Sequence, residues 1–160
     1  RHQVATIQLD FNQPKNFGLV CTNEKGEKED IVMIHCAIMG SIERFMSVLI
    51  EHYAGVFPFW LSPVQTKILP INENHIGFAQ KVFEALKKVG IRAELDNSNE
   101  GLGKKVRNAK VEKIPYLLII GDKEIESQKV TVENRDEGNI GTLSIEELVQ
   151  KFESETITKK

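Results

Sequence analysis

Scarcity sets the first limits on this chain. Its 160 residues include two cysteines, Cys21 and Cys36, one tryptophan and five prolines. Two isolated cysteines without metal-motif spacing build neither a disulfide framework nor a zinc finger. They fit a reducing cytosol, so a cytoplasmic location is expected. No apolar run approaches the roughly 20 residues of a membrane-spanning helix, so no membrane partner is expected. Charge of one sign is also missing: 21 Lys and Arg stand against 23 Asp and Glu, for a net −2. That balance excludes a wholesale basic coating of nucleic acid, and DNA is not an expected partner. Internal repeats and low-complexity tracts are absent. The opening RHQVATIQLD resembles neither a signal peptide nor an initiator segment, and reads as a cut inside a longer protein.

What remains is a globular composition, 41% hydrophobic and 28% charged, with room for one ordinary domain or two small ones. The charge is uneven in density. Residues 1–60 carry 5 Lys and Arg and 7 Asp and Glu, leaving 16 of each to the rest. RNA contact would therefore need a local patch in the second part.

Periodicity divides the chain near residue 60. In the first part Ala5, Ile7, Leu9 and Phe11 alternate with Thr6, Gln8 and Asp10, which predicts a strand with one polar face. A second strand over 17–22, the turn NEKGEKED and a third strand over 31–36 predict an antiparallel hairpin. Ser41 suits a helix N-cap, and Ile42, Phe45, Met46, Leu49 and Tyr53 recur at helical spacing up to Gly55. VFPFWLSPVQ, with two prolines, reads as a domain edge. Beyond it come a strand over 65–69, a helix over 74–89, a strand over 91–95, a basic helix over 102–112 and the apolar strand Tyr116–Ile120. GDKE is expected to form a hairpin into a strand over 129–132, and Ser144 with Glu147 forms a capping box for a last helix. Strands alternating with helices imply parallel pairs. The expected fold class is thus α/β: residues 1–60 an α+β part with an antiparallel sheet, and residues 61–160 a mixed-sheet α/β domain with three helices.

Chemistry-bearing residues can be weighed before any family is considered. Arg44 sits near the start of the predicted helix. Because it cannot lose its proton, it must pair with Glu43 or another carboxylate, reach water, or wait for an anionic ligand. His35, at the end of an apolar strand, reads as a hydrogen-bonded core residue or as a ligand. Thr6, Gln8 and Asp10 read as a solvent-facing strand face. GLGKKVRNAK reads as a solvated basic helix.

Two stretches carry a resemblance that changes these weights. TIQLDF followed by VMIHCAIMGSIERF and FPFWLSPVQ resembles the end of the catalytic domain of threonyl-tRNA synthetases. Within it, GSIERF resembles the third signature motif of class II aminoacyl-tRNA synthetases. GIRAELDNSNEGLGKKVR with IPYLLIIGDKEIESQKVTV resembles their anticodon-binding domain. The resemblance implies ATP-dependent activation of threonine and its transfer to tRNA(Thr) by a homodimeric enzyme, with Mg²⁺ beside the nucleotide. It implies Arg44 as the catalytic phosphate contact, and Gln3, Thr6, Gln8 and Ser41 as further ATP or threonine contacts, with no role for Asp10. It implies His35 as one of three ligands of a Zn²⁺ that selects threonine by its hydroxyl, the other two lying outside this chain. Cys36 is not expected to substitute, because strand neighbours point to opposite faces. For the anticodon the resemblance implies Asn99, Arg107, Lys113 and Glu124. Glu133 stands where the family has an arginine, and Arg135, two residues on, is the expected replacement if the strand continues. A non-catalytic tRNA-binding module of the same fold is the alternative; TIQLDF and MIH argue against a histidyl- or prolyl-type synthetase.

Overall fold

The computed structural model describes Gln3 and residues 5–159. The chain divides into two compact units, Arg1–His52 and Tyr53–Lys160. In the first, β1 (Ala5–Asp10) pairs antiparallel with β4 (Met33–Ile38), with Gln8 opposite His35 and Thr6 opposite Ala37. A short α1 (Gln13–Asn16) follows β1, with Pro14 in its first turn, where the missing N–H costs nothing. The expected hairpin forms differently. β2 (Val20–Thr22) pairs with β3 (Lys28–Asp30) as a separate two-stranded ribbon, and β4 goes to β1 instead. The turn explains this. Asn23 Oδ1 accepts from the backbone N–H of Lys25 and Glu27, each at 3.0 Å, and Gly26 takes a positive φ of 82°. These local bonds close the hairpin at Thr22 and Lys28, before the apolar run that becomes β4 is reached. α2 (Ile42–Tyr53) ends the unit. The alternation expected for β1 holds, but its apolar face stays open: Ile7, Leu9, Ile34 and Ile38 are all at least 60% exposed.

The second unit is built on a five-stranded sheet of order β6-β5-β7-β8-β9. β5 (Thr66–Pro70) lies between parallel neighbours β6 (Ala93–Leu95) and β7 (Tyr116–Ile120). β8 (Lys129–Asn134) and β9 (Gly138–Ser144) complete it antiparallel. α3 (Ile76–Lys88), α4 (Leu102–Val111) and α6 (Ile145–Thr158) connect or close the strands. Alternate residues of the central strands feed two cores. Ile68 and Leu118 join Val82, Leu86, Leu148 and Phe152. Leu69 and Leu117 join Ala109 and Ile114. Burial on both faces is what a continuous apolar run such as YLLII requires. Phe59, Tyr116 and Phe152 pack with centroids 4.8 to 5.5 Å apart, Phe59 edge-on to Tyr116 and the other two pairs tilted. Burial and a 2.8 Å bond to Glu155 push the Tyr116 phenol up to about 12.

Two expectations fail in this unit. GDKE opens a helix rather than a hairpin: α5 (Asp122–Ser127) starts on a reciprocal cap in which Glu124 accepts the Gly121 N–H at 2.9 Å. The unit therefore has four α-helices among the described residues, not three. β9 has no counterpart in the sequence pattern, because GNIGT has two glycines, both at positive φ, and no clean alternation. Its partner β8 supplies the register, with an irregularity between Val132 and Glu133.

The last helix starts as expected. Ser144 Oγ accepts from Glu147 N at 3.2 Å, and Glu147 Oε2 accepts from Ser144 N at 2.8 Å. Ser144→Ala should cost about 1 kcal/mol of stability in the second unit. Urea unfolding followed by the fluorescence of Trp60, the single tryptophan, measures it. No change would mean that the cap adds nothing to this helix.

Candidate functional site

In the first unit the β1–β4 pairing puts Thr6 and Gln8 beside His35, on one face of the two-stranded sheet. The chain then turns through Met39, in the left-handed region at φ 50°, and Gly40, where a Cβ would meet that of Ala37 at 3.3 Å. This tight exit brings Ser41 and the first turn of α2 against the same face. The result is a cleft of about 420 Å³ whose polar walls are Gln3, Thr6, Gln8, His35, Ser41 and Arg44. The residues assigned to ATP, threonine and metal from the resemblance thus share one concavity. Cys36 borders it too, though its strand partner is Ile7 rather than Gln8.

Electrostatics distinguish these side chains. Arg44 is exposed and makes no ion pair or hydrogen bond among the described residues, so neither Glu43 nor another carboxylate there neutralises it. Gln3 Nε2 donates to Thr6 Oγ1 at 2.7 Å, which sets both side chains at one wall. His35 is not a core residue: its side chain is 41% exposed, and Nε2 lies 3.0 Å from Asp10 Oδ2. Asp10 was the residue to which the sequence assigned no role. The backbone N–H groups of Gln13 and Asn12, and then His35, hold its carboxyl below the ordinary value. Among the described residues no three His, Cys, Asp or Glu side chains group to hold a metal, so His35 stands as a single possible ligand.

In the second unit parallel pairing delivers the ends of β5, β6 and β7 to one edge of the sheet. Asn99 lies exposed in the segment after β6, beside a hollow of about 190 Å³ shared with Asn72, Asp96 and Glu100. Lys105 anchors that segment. It is 3% exposed, and its ammonium donates to the carbonyls of Pro70 and Asp96, each at 3.1 Å, tying the exits of β5 and β6. His75, 1% exposed, does the same for β5 and β7: Nδ1 accepts from Asn72 N and Nε2 lies 2.9 Å from Asp122 Oδ1. Local sequence marks neither anchor's distant partner: Pro70 lies 35 residues from Lys105 and Asp122 lies 47 from His75, and only the Asn72 contact of His75 is local.

Glu124 reaches the same edge with both oxygens engaged, Oε2 on Gly121 N and Oε1 on the Thr131 hydroxyl at 2.7 Å. It is therefore a structural cap as well as a candidate base contact. Gly121 leaves room beside it: a Cβ there would come within 2.7 Å of Ile71 Cδ1, the tip of a partly exposed side chain that would have to shift. Arg107, on α4, is exposed and has no ion pair or hydrogen bond among the described residues, while its helix neighbours Lys104 and Lys110 pair with Glu100 and Glu133 at 2.6 Å.

Lys113 and Arg135 do not join this edge. They sit at the opposite end of β7, where Lys113 Nζ donates to Ala54 O at 2.6 Å and Arg135 Nη1 donates to the carbonyls of Phe57 and Lys113. β8 stops at Asn134, so Arg135 does not continue the strand as expected of a replacement for the missing arginine. Both cations instead fasten segment 54–57 to the domain. Glu133 pairs with Lys110 at 2.6 Å.

Comparison with known proteins agrees with this division. Residues 65–155 match the model of the anticodon binding domain, and residues 1–53 match that of the tRNA synthetase class II core domain (G, H, P, S and T). The chain belongs to the anticodon-binding-domain family. Over 98% of its length it is 47% identical to a threonine–tRNA ligase of Caldanaerobacter subterraneus subsp. tengcongensis and 48% identical to one of Clostridium botulinum strain Hall. It spans about a quarter of the length of these relatives, 24% and 25% respectively. Among solved structures, the RNA binding domain of threonyl-tRNA synthetase from Cryptosporidium parvum matches with a TM-score of 0.81 at 37% identity, covering 96% of this chain and 39% of that one. A prolyl-tRNA synthetase from the same organism, complexed with halofuginone and AMPPNP, matches at 0.68 and 28% identity, over 98% of this chain and 35% of that one. Among the described residues no helix is long and apolar enough to cross a membrane.

The carboxylates at the strand ends give this edge a pH dependence. Burial pushes the Asp96 and Glu124 carboxyls up, but Ser98 together with the Lys105 and Lys67 charges outweighs it for Asp96, and Thr131 with the Gly121 and Glu124 N–H groups and the Lys123 charge outweighs it for Glu124. Both end below their ordinary values of 3.8 and 4.5. A carboxyl depressed in the folded state adds stability above its unfolded pKa and loses it as pH falls through the folded value. The second unit should therefore weaken as pH drops below about 4.5, and Glu124→Gln should flatten that slope. Parallel melting curves of the two proteins between pH 6 and pH 3 check it; identical slopes would show that Glu124 does not contribute.

Proposed function

We propose that this chain is part of a threonine–tRNA ligase: it supplies one wall of the site where threonine and ATP react, together with the domain that reads the anticodon of tRNA(Thr). The observation that carries this is the cleft that gathers Gln3, Thr6, Gln8, His35, Ser41 and an Arg44 without a counter-ion among the described residues, in the part matching a class II core. The chemistry follows from those side chains. Activation joins the threonine carboxylate to the α-phosphate of ATP and releases pyrophosphate, so negative charge must be held while the bond exchanges. Arg44 offers a fixed fork of donors for phosphate oxygens. The start of α2 adds the attraction of unpaired backbone N–H groups. No protein nucleophile is needed; positioning and charge stabilisation carry the step. Thr6 and Gln8 would orient the amino acid, and Gln3 and Ser41 the nucleotide with its Mg²⁺.

The zinc implied by the resemblance fits one residue here. His35 is accessible at the cleft wall and its second nitrogen bears on a carboxylate, as metal-bound imidazoles do. When bound, such an ion would recognise the threonine hydroxyl directly, a discrimination against valine that an apolar pocket achieves poorly.

For the anticodon, Asn99 and Glu124 at the strand ends would meet base edges, and Arg107 the backbone, as splayed loop bases allow. Lys113 and Arg135 are left to hold the 54–57 segment.

Two measurements on the full-length protein test these assignments. Arg44→Ala should lower threonine-dependent pyrophosphate exchange at least about a hundredfold, with incomplete rescue by lysine, which keeps the charge and loses the fork. Exchange within a few-fold of wild type would remove Arg44 from the chemistry. In titrations with anticodon stem-loops at two salt concentrations, Arg107→Ala should weaken cognate and altered loops alike and reduce the salt dependence. Asn99→Ala should instead reduce discrimination between them by about 1–3 kcal/mol, by analogy with base-edge contacts on DNA. Equal affinity of the parent protein for both loops would overturn the anticodon assignment.

A further inference from the structure

Asp10 is more fully bonded than a strand-end carboxylate at a polar face needs to be. Oδ1 accepts the backbone N–H of Asn12 and of Gln13, each at 2.9 Å, and Oδ2 faces His35 Nε2 at 3.0 Å. Its side chain is 19% exposed, against 41% for the ring it touches. Asp10 pairs with Met33, two residues before His35 on β4, so the contact is a diagonal one across the same sheet face. The two N–H bonds fix the carboxylate independently of the histidine. An ionised carboxylate can only accept, so the proton of a neutral His35 ring must sit on Nε2, which leaves the lone pair on Nδ1. Nδ1 makes no hydrogen bond among the described residues.

We propose that Asp10 is a positioning residue for His35: the turn at Asn12 and Gln13 holds the carboxylate, the carboxylate holds Nε2–H, and Nδ1 is thereby the nitrogen committed to a divalent metal. This rests on the reading of His35 as a zinc ligand and adds which atom binds and what orients it. Metal-bound imidazoles depend on such partners, and losing one costs 10–100-fold in metal affinity. Asp10→Asn is the sharp variant, because its amide oxygen can still accept from the turn while its NH₂ offers Nε2 a donor. That reversal moves the ring proton onto Nδ1, the nitrogen that must be free.

The full-length protein should be titrated with zinc against a competing chelator, and the Co²⁺-substituted protein recorded by visible absorption. Asp10→Asn is expected to weaken zinc binding about 10–100-fold and to shift the Co²⁺ bands. Asp10→Ser, whose short hydroxyl can serve the turn without reaching the ring, should weaken it likewise, so that a poorly folding asparagine variant would not decide the matter. Long-range ¹⁵N spectra of the present chain provide a readout without metal: His35 should carry its proton on Nε2 in the parent and shift toward Nδ1 in Asp10→Asn. His35→Ala is the control. If it binds zinc like the parent, the ligand reading itself fails. If His35→Ala loses zinc while both Asp10 variants bind within about threefold of the parent, only the positioning role is overturned.

Discussion

Parallel pairing of β5 with both β6 and β7 is the constraint on which the second unit depends. Three strands running the same way must all end at one edge, and each needs a long connection to return. Those connections are α3 and α4, which cover the two faces and let Ile68, Leu69, Leu117 and Leu118 be wholly or almost wholly buried. The same geometry gathers the segments after Pro70, Leu95 and Ile120 side by side. Outside the carboxyl ends of parallel strands is where open α/β sheets characteristically bind ligands. Asn99 and Glu124 owe their proximity to that edge to strand direction alone.

Side chains then fix what the strands deliver. Lys105 and His75 are buried polar anchors, each spanning two strand exits, and each satisfied by partners that the sheet supplies. A buried ammonium is tolerable only because two carbonyls meet it. At the other end of β7, Lys113 donates to the Ala54 carbonyl, and Arg135 donates to the carbonyls of Phe57 and Lys113 and to the Asp136 carboxylate. Both cations are engaged within the second unit, which separates them from Arg107, exposed and without an ion pair or hydrogen bond among the described residues.

The first unit depends on a different restriction, the register of β1 against β4. With Gln8 opposite His35, one face is polar and concave, while Ile7, Leu9, Ile34 and Ile38 project from the other. The arginine that opens α2 stays without a counter-ion among the described residues, and a guanidinium left so beside a polar cleft is suited to an anionic substrate. Asp10 shows how the same register also places a carboxylate against the imidazole.

Much of this was legible in residue order. YLLII read as a continuous apolar strand, the 3.6-residue spacing marked α2 and α3, and Ser144 with Glu147 announced the start of α6, because periodicity and capping are local properties. The cleft residues were legible only through motif resemblance, since nothing in spacing alone joins Gln8 to His35. Folding had to decide the rest. Which strand takes β4 was settled by a turn at Asn23 that closes early, and β9 exists because β8 offers a partner to a glycine-rich segment with no pattern of its own. GDKE became a helix because Glu124 could reach back to Gly121. Asp10, Lys105 and His75 gained their roles from partners 25, 35 and 47 residues away. Local sequence encodes propensity and period; a contact across tens of residues is defined only when the sheet has chosen its neighbours.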